Sequence, residues 1–539
     1  MGKIRIAVDY IPSLVFDFWH FETEKESRLI NQLVNASLFK WDTKGDRKLD
    51  LLKRSPKTKH VLAGDIVTYE LRDDIKWQDG YPISSKDFAF WFEVYKSSVN
   101  TNKYDAWTHT DIQIEGPQKF TILFKEKYVF RTMSNLLQPA PEHILRQAWN
   151  MFSKKTKKLS IQDKQKLWKK YIIKELGPNT KMKLATGPFK IVSVEEKCLI
   201  LEKNDNYYNP NPDIDQILLS VEPNFKQRLS LCSQGNLDLC SIDFFNRDLN
   251  FSNMRVYKKN TNTWIGLLIN DFWLNDFFDN ENKKTVFRKE LNKLIKEANL
   301  LSSMNDNTLS PATTFIYNQD NAFNSKNLQL GKNKLVKFLL DNGFTKNNSN
   351  IFKKGSKLFE FEITIPNESD FYSKLANKLK KIFSTAGIFL KIKIIDTEYF
   401  YSSSFLNHAY DMSFKIIPIA YEGDAFFEKG ELFSSVKSSG KNSNIPKKSN
   451  NYNGENISGY HNKEYDIIFL QLAEEQDMQK REKLLYKLAK VIFNTVPAIS
   501  LFYQGEIWLV NSRIQNIDFN ARTGPITWNI DEWRISNDH

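Results

Sequence analysis

The chain has 539 residues, 41% hydrophobic and 26% charged, an ordinary globular composition with ample length for a large core. No run approaches the ~18 uninterrupted apolar residues that a membrane span needs. Net charge is +13, but Lys outnumbers Arg about fourfold and is interleaved with Glu and Asp. The densest run, Lys154-Lys155-Thr156-Lys157-Lys158, lacks aromatic residues, so the excess reads as a solvated surface and not as a nucleic-acid interface.

The first residues, Met1-Gly2-Lys3-Ile4-Arg5-Ile6, carry no long apolar export segment. Ile6 stands where myristoylation of Gly2 needs Ser or Thr. Two readings stay open: a cytosolic protein, or an exported one whose signal has been cut off. Lys3 to Val8 alternates like a strand. An aromatic loop follows, Phe16-Asp17-Phe18-Trp19-His20-Phe21. Residues 27–40 then carry Leu29, Ile30, Leu33, Val34 and Leu38 at helical spacing.

Val67 to Leu71 alternates as a strand, and Gln78-Asp79-Gly80-Tyr81-Pro82 is a turn. Ser84 caps a helix, with Asp87 completing a capping box and Phe88, Phe92 and Tyr95 on the helix. Residues 119–125 read as a strand. Pro139 to Leu145 feeds charged helical turns that run to about residue 176. Thr186-Gly187-Pro188-Phe189 turns into the strand 190–194, and further strands are expected at 214–221 and 264–270. Helices are expected at 286–301 and 333–341. Residues 359–365 and 389–395 alternate cleanly around an amphipathic helix at 370–385, a β-α-β unit with parallel strands. Residues 437–458 read as a long exposed loop. One long helix is expected over 463–494, then an apolar strand from Pro497 to Val510. Strands and helices mix throughout without a repeat, which predicts α/β lobes with ligand chemistry in a cleft.

Catalytic signatures are missing. Neither a phosphate-binding glycine loop, a dinucleotide fingerprint, a zinc-protease helix nor a nucleophile elbow is present. The seven histidines show no ligand pairing, so no metal or cofactor is expected. Only Cys198, Cys232 and Cys240 occur, and the odd number supports no disulfide framework or zinc site. They read as small buried hydrophobes, with a Cys232–Cys240 disulfide open if the protein is exported. Aromatic residues are abundant at 14%. Most must be core, and a minority suit a ligand pocket.

Several segments, in order, resemble the bacterial extracellular solute-binding proteins of family 5, the oligopeptide- and dipeptide-binding group. Tyr69-Glu70-Leu71-Arg72-Asp73-Asp74-Ile75-Lys76-Trp77-Gln78-Asp79-Gly80 runs into the helix that opens with Asp87. Pro141-Glu142-His143-Ile144 resembles the family's Pro-x-His-Ile segment. Thr186-Gly187-Pro188-Phe189 is followed by an Asn-x-x-Tyr at Asn204 to Tyr207. Leu231 to Leu239 carries Gly235 and Asp238. Gly459-Tyr460-His461-Asn462-Lys463-Glu464-Tyr465-Asp466 precedes the long helix and the strand at Val496 to Leu501.

The resemblance implies an α/β, two-lobed, periplasmic-binding-protein-like clamp of the class II, cluster C type. Lobe I would combine residues 1–41, 184–262 and 505–539, with 42–183 inserted as an extra domain. Lobe II would cover 263–504, with ligand in the cleft and two chain crossings as the hinge. It further implies binding without catalysis. The chain would be the substrate-binding component of an ABC importer: it closes on an extended oligopeptide and delivers it to transmembrane permease subunits. It would work outside the cytoplasm as a monomer, as a cell-surface lipoprotein or periplasmic protein, with no nucleic-acid partner and no cofactor.

Two strips should supply backbone contacts to the ligand, much as an added strand would. One is Ser13 to Phe21, including Phe16, Asp17, Phe18 and Trp19. The other is Phe414 to Asp424, including Ile416, Ile417, Pro418, Ile419, Ala420, Tyr421, Glu422 and Asp424. Tyr104 and Trp107 match an aromatic position of the family's inserted domain. Many peptide binders read Trp-x-x-Asp-Tyr in the second strip, where the Asp pairs with the peptide's terminal ammonium. This chain has Ile417 for that Trp and Ala420 for that Asp. Glu422 or Asp424 would then take the ammonium, since a buried unpaired charge is costly. A different ligand is the alternative: an oligosaccharide, a metal chelate or a signalling peptide. A more distant alternative is a hydrolase that uses Glu422 and Asp424 as its carboxylate pair.

Overall fold

The computed structural model describes residues 2–11, 25–41, 47–97, 110–125, 137–176, 184–195, 197–209, 213–222, 224–242, 252–304, 306, 308–315, 331–367, 370–396, 399–400, 408–418, 430–437, 443–450, 452–475, 477–518 and 525–536. The chain divides into two compact units, Met1–Asn260 with Glu506–His539, and Thr261–Gly505.

In the first unit Lys3–Val8 forms the expected strand, with Ile4 and Ile6 fully buried and Lys3 and Arg5 outward. It pairs in parallel with Gln216–Val221, from Lys3 opposite Gln216 to Val8 opposite Val221. Antiparallel strands Cys198–Lys203 and Phe189–Glu195 extend that edge. On the other side Ile6 meets Leu239 of the strand Leu239–Ile242. That strand pairs antiparallel with residues 507–510 near the chain's end.

The same unit holds an antiparallel sheet of four strands, in the order Lys57–Val61, Gly64–Glu70, Lys119–Phe124 and Thr110–Gly116. The helix Ser85–Lys96 packs Phe88, Phe92 and Tyr95 into the interior. Its capping box is present: Ser84 N–H donates to Asp87 Oδ2 at 2.8 Å. Asp87 Oδ1 also accepts the N–H of Glu142 at 3.1 Å, which seats the start of the helix Glu142–Lys155. Two segments noted in the sequence thus meet here. His143 Nε2 lies 3.0 Å from Asp79 Oδ2, and its ring stacks on Tyr81 with centroids 4.2 Å apart. Gly80 makes the intervening turn at φ +87°.

In the second unit Phe389–Ile395 and Glu360–Pro366 are parallel neighbours across the helix Asp370–Thr385, the β-α-β unit expected from the sequence. Glu360–Pro366 continues in parallel to Met412–Pro418 at Ile363 opposite Met412 and Thr364 opposite Ser413. Met412–Pro418 then pairs antiparallel with residues 263–269. Trp273, Phe277, Phe278, Phe287, Phe344 and Phe359 form one packed aromatic group, which is where much of the aromatic excess goes.

Three expected elements need correction. The helix expected over 27–40 ends at Val34, and Phe39–Trp41 is a short strand. The helix predicted over 463–494 is two helices, Lys463–Glu474 and Met478–Thr495. Glu475 is extended, and Asp477 restarts the chain by accepting the N–H of Lys480 at 2.9 Å. Buried Arg481 donates to the carbonyls of Leu472 and Glu475, so the end of the first helix keeps its hydrogen bonds. The polar run 437–458 is not simply exposed. Asn444 and Asn456 are fully buried, and their amides bond the backbone of Glu431, Ser434 and Tyr460. An amide that satisfies several backbone groups at once is a core element despite its polarity.

Trp264 is fully buried in the second unit, and its indole N–H donates to Ser500 Oγ at 3.0 Å. Its ring lies over Gly266, where an added Cβ would come within 1.9 Å of the ring. A rigid core ring cannot yield such a distance cheaply. Gly266→Ala is therefore expected to destabilise the protein by about 2–3 kcal/mol. Urea unfolding checks this, and an unchanged midpoint would contradict it.

Candidate functional site

Of the ligand-contact residues expected from sequence, Ile416, Ile417 and Pro418 fall within the described structure. They close the strand Met412–Pro418, opposite Ile265, Trp264 and Thr263 respectively. Ile417 is 2% exposed and faces the interior, whereas Ile416 is half-buried. Phe16, Asp17, Phe18, Trp19, Tyr104, Trp107, Ile419, Ala420, Tyr421, Glu422 and Asp424 lie outside the described residues. What the structure defines is how the ends of the two strips are held.

The first strip starts beyond the strand Lys3–Val8. Asp9 forms an ion pair with Arg228, which is itself buried. Arg228 also donates to the carbonyl of Ser241 at 3.0 Å and to that of Glu222. On the far side of the strip, Glu26 is buried and its Oε1 accepts the Asp9 N–H at 3.4 Å. Asp9 and Glu26, on either side of the expected strip, are thus in contact. The helix Lys25–Val34 then packs Leu29, Ile30, Leu33 and Val34 inward. Its end meets the Thr186-Gly187 turn, whose two N–H groups both donate to the Val34 carbonyl at 2.9 Å. A side chain at Gly187 would strike that backbone at 2.8 Å. Asn204 closes the arrangement by donating to the Gly187 carbonyl at 2.8 Å.

The second strip is held at both ends in the second unit. Upstream, Tyr410 OH donates to the Ile457 carbonyl at 3.0 Å, and the Asn270 amide donates to the Tyr410 carbonyl at 2.7 Å. Asp411 Oδ2 accepts the Glu362 N–H at 2.8 Å. Downstream, Tyr465 OH donates to the Gly430 carbonyl at 2.7 Å. Asp466 accepts the Ser435 N–H at 2.8 Å and the Ser434 hydroxyl at 3.1 Å. Asn462 caps their helix by accepting the Tyr465 N–H at 2.9 Å.

A buried cation braces this frame. Arg288 is fully buried, donates to Asp271 at 2.5 Å and to Glu281, and lies 5.3 Å from the Tyr460 ring centroid. Burial works against its charge, but Asp271 and Glu281 outweigh this and raise its pKa above the ordinary arginine value. Sequence reasoning missed these anchors. Nothing local in the sequence marks Arg228 and Arg288 as buried, since Arg54, Arg72 and Arg534 are substantially exposed.

Among the described residues no group of three or more His, Cys, Asp or Glu could hold a metal ion. No helix of the described residues is long and apolar enough to cross a membrane. The hydrogen bonds and ion pairs above hold the described residues on either side of the two expected strips.

The family pattern described as bacterial extracellular solute-binding proteins, family 5 middle, matches residues 62–440. The chain belongs to that family. It is similar to the oligopeptide-binding protein OppA of Bacillus subtilis (strain 168), 19% identical over 478 residues, with 84% of this chain and 79% of that protein covered. Its fold is similar to that of the Thermus thermophilus oligopeptide-binding protein in complex with a pentapeptide. There the TM-score is 0.82 at 19% identity, with 98% of this chain and 96% of the other covered. NikZ from Campylobacter jejuni, in complex with Ni(L-His), has a TM-score of 0.72 at 20% identity, with 98% and 99% covered. The two-lobed family 5 fold expected from the motifs is thus present in this solute-binding protein.

Burial pushes the Asp411 carboxyl up to about 6, against the lowering effect of the hydrogen bond from Glu362 N–H. A raised carboxyl pKa means that the folded state binds the proton more tightly than the unfolded chain does. The resulting stabilisation is complete below about pH 4 and is lost as pH rises through about 6. Asp411→Asn keeps an acceptor for Glu362 and should remove this contribution. Unfolding free energies measured from pH 4 to 7 are expected to fall less steeply with pH in the variant. Parallel curves would contradict the assignment.

Proposed function

We propose that this solute-binding protein is the substrate-binding component of an ABC importer and takes up an extended oligopeptide. It holds the ligand along residues 13–21 and 414–424 and passes it to a transmembrane permease, without turnover. The observation that carries the reading is the family match across residues 62–440, which runs through the second strip. Peptide is the favoured solute because OppA and the Thermus protein are both described as oligopeptide-binding. Backbone pairing along a strip tolerates varied side chains, which suits such a ligand. Its work lies outside the cytoplasm, as a monomeric lipoprotein or periplasmic protein.

The terminal ammonium of the peptide needs a carboxylate, and Ala420 cannot supply one. Glu422 and Asp424 are the proposed partners, because an uncompensated buried charge would cost several kcal/mol. A metal chelate is the second reading. It is favoured by the fold shared with NikZ in its Ni(L-His) complex, together with the Ile417 and Ala420 departures.

Native mass spectrometry of the purified protein with its co-purified ligand tests both, with Glu422→Gln/Asp424→Asn alongside. A ladder of peptide masses is expected on the unaltered protein, and a depleted ladder on the double variant. A single non-peptide mass would overturn the peptide reading. An undiminished ladder on the variant would remove these carboxylates from the site.

A further inference from the structure

Cys232 lies in the helix Phe225–Ser233 and Cys240 in the strand Leu239–Ile242. Gly235 turns the chain between them at φ +72°. Asp238 then fixes the turn: its N–H donates to the Arg5 carbonyl at 2.8 Å, and its carboxylate accepts from Arg513 twice at 2.9 Å. The helix is thereby folded back on the strand, and the two Sγ atoms meet at 3.0 Å. Both side chains are fully buried among Ala7, Leu237, Ile242, Met254, Ile507 and Leu509. Packing for volume alone does not require sulfur to face sulfur. Cys198 differs: it lies in the strand Cys198–Lys203, half-buried, contrary to the expectation that all three cysteines are interior.

We propose that Cys232 and Cys240 are joined by a disulfide, formed during folding outside the cytoplasm, which locks the turn that carries Asp238. The oxidant is a protein or glutathione disulfide. One cysteine thiolate attacks it and releases a thiol, leaving a mixed disulfide. The second thiolate then attacks the mixed disulfide and releases the other thiol. Two thiols lose two protons and two electrons, one sulfur–sulfur bond forms, and one oxidant disulfide becomes two thiols. Exchange needs an accessible thiolate. In the closed core the contact with Cys240, together with burial, keeps the Cys232 thiol protonated. The bond therefore forms before the core closes, and reductants reach it only once the protein unfolds.

The test is alkylation with iodoacetamide after refolding in oxidised glutathione, which isolates the geometry from the question of where the protein works. Denatured without reductant, the protein should take up one label, at Cys198. Denatured with reductant it should take up three. Three labels without reductant would overturn the proposal. Unfolding midpoints give a second reading. Cys198→Ser should retain the drop in midpoint caused by reductant, and Cys240→Val should lose it. A midpoint in Cys198→Ser that ignores reductant would also overturn the bond.

Discussion

Asp238 joins three stretches of chain that are far apart in sequence. Its carboxylate accepts the Arg5 N–H of the first strand and both Arg513 nitrogens from beyond the last long strand. Its carbonyl takes the Asn511 N–H at 2.7 Å. Assembling a unit from distant segments carries a loop-closure cost that local contacts do not offset. A charge-assisted, multidentate anchor at the meeting point supplies direction as well as energy. Without it, residues 3–8, 239–242 and 507–510 would have only apolar packing and sheet ladders to set their register.

Polar anchors of this kind recur beside both expected strips. Arg228 with Asp9 fixes the start of the first strip, and Asp466 with Ser434 and Ser435 fixes the downstream side of the second. Arg288 braces the frame from within. Removing Asp9 would leave the buried Arg228 guanidinium without its carboxylate, an unfavourable state for a buried charge. The bonded residues Asp9, Arg228, Asp466 and Arg288 are therefore costly to move. Fixed anchors suit a fold whose similar proteins are described with chemically different solutes, an oligopeptide and Ni(L-His). Ile417 turns inward where many peptide binders have Trp, with Trp264 opposite it on the neighbouring strand.

Much of the fold was legible because the signals were local. Ile4 and Ile6 announce their strand by alternation. Ser84 and Asp87 announce their helix by the capping box. Glu360–Pro366 and Phe389–Ile395 announce parallel pairing by the helix between them. The motif residues were legible for a structural reason. Asp79 meets His143, Gly187 meets Val34, and Tyr465 reaches Gly430, each a contact that few side chains can replace. The helix break at Glu475 was not legible, because periodicity continues across it and Arg481 repairs the ends from a turn away. Buried Asn444 and Asn456 were also hidden, since their partners are backbone groups that no composition reveals. The ammonium partner was only narrowed to Glu422 and Asp424, because charge shows in a sequence and convergence does not.

Hydrogen–deuterium exchange, read by mass spectrometry with and without a pool of synthetic pentapeptides, measures the central claim most directly. The account predicts slower exchange on peptide addition over residues 13–21 and 414–424, with the flanks at Asp9, Asp411 and Asp466 already protected in the free protein. Unchanged exchange in both strips, with new protection elsewhere, would contradict it.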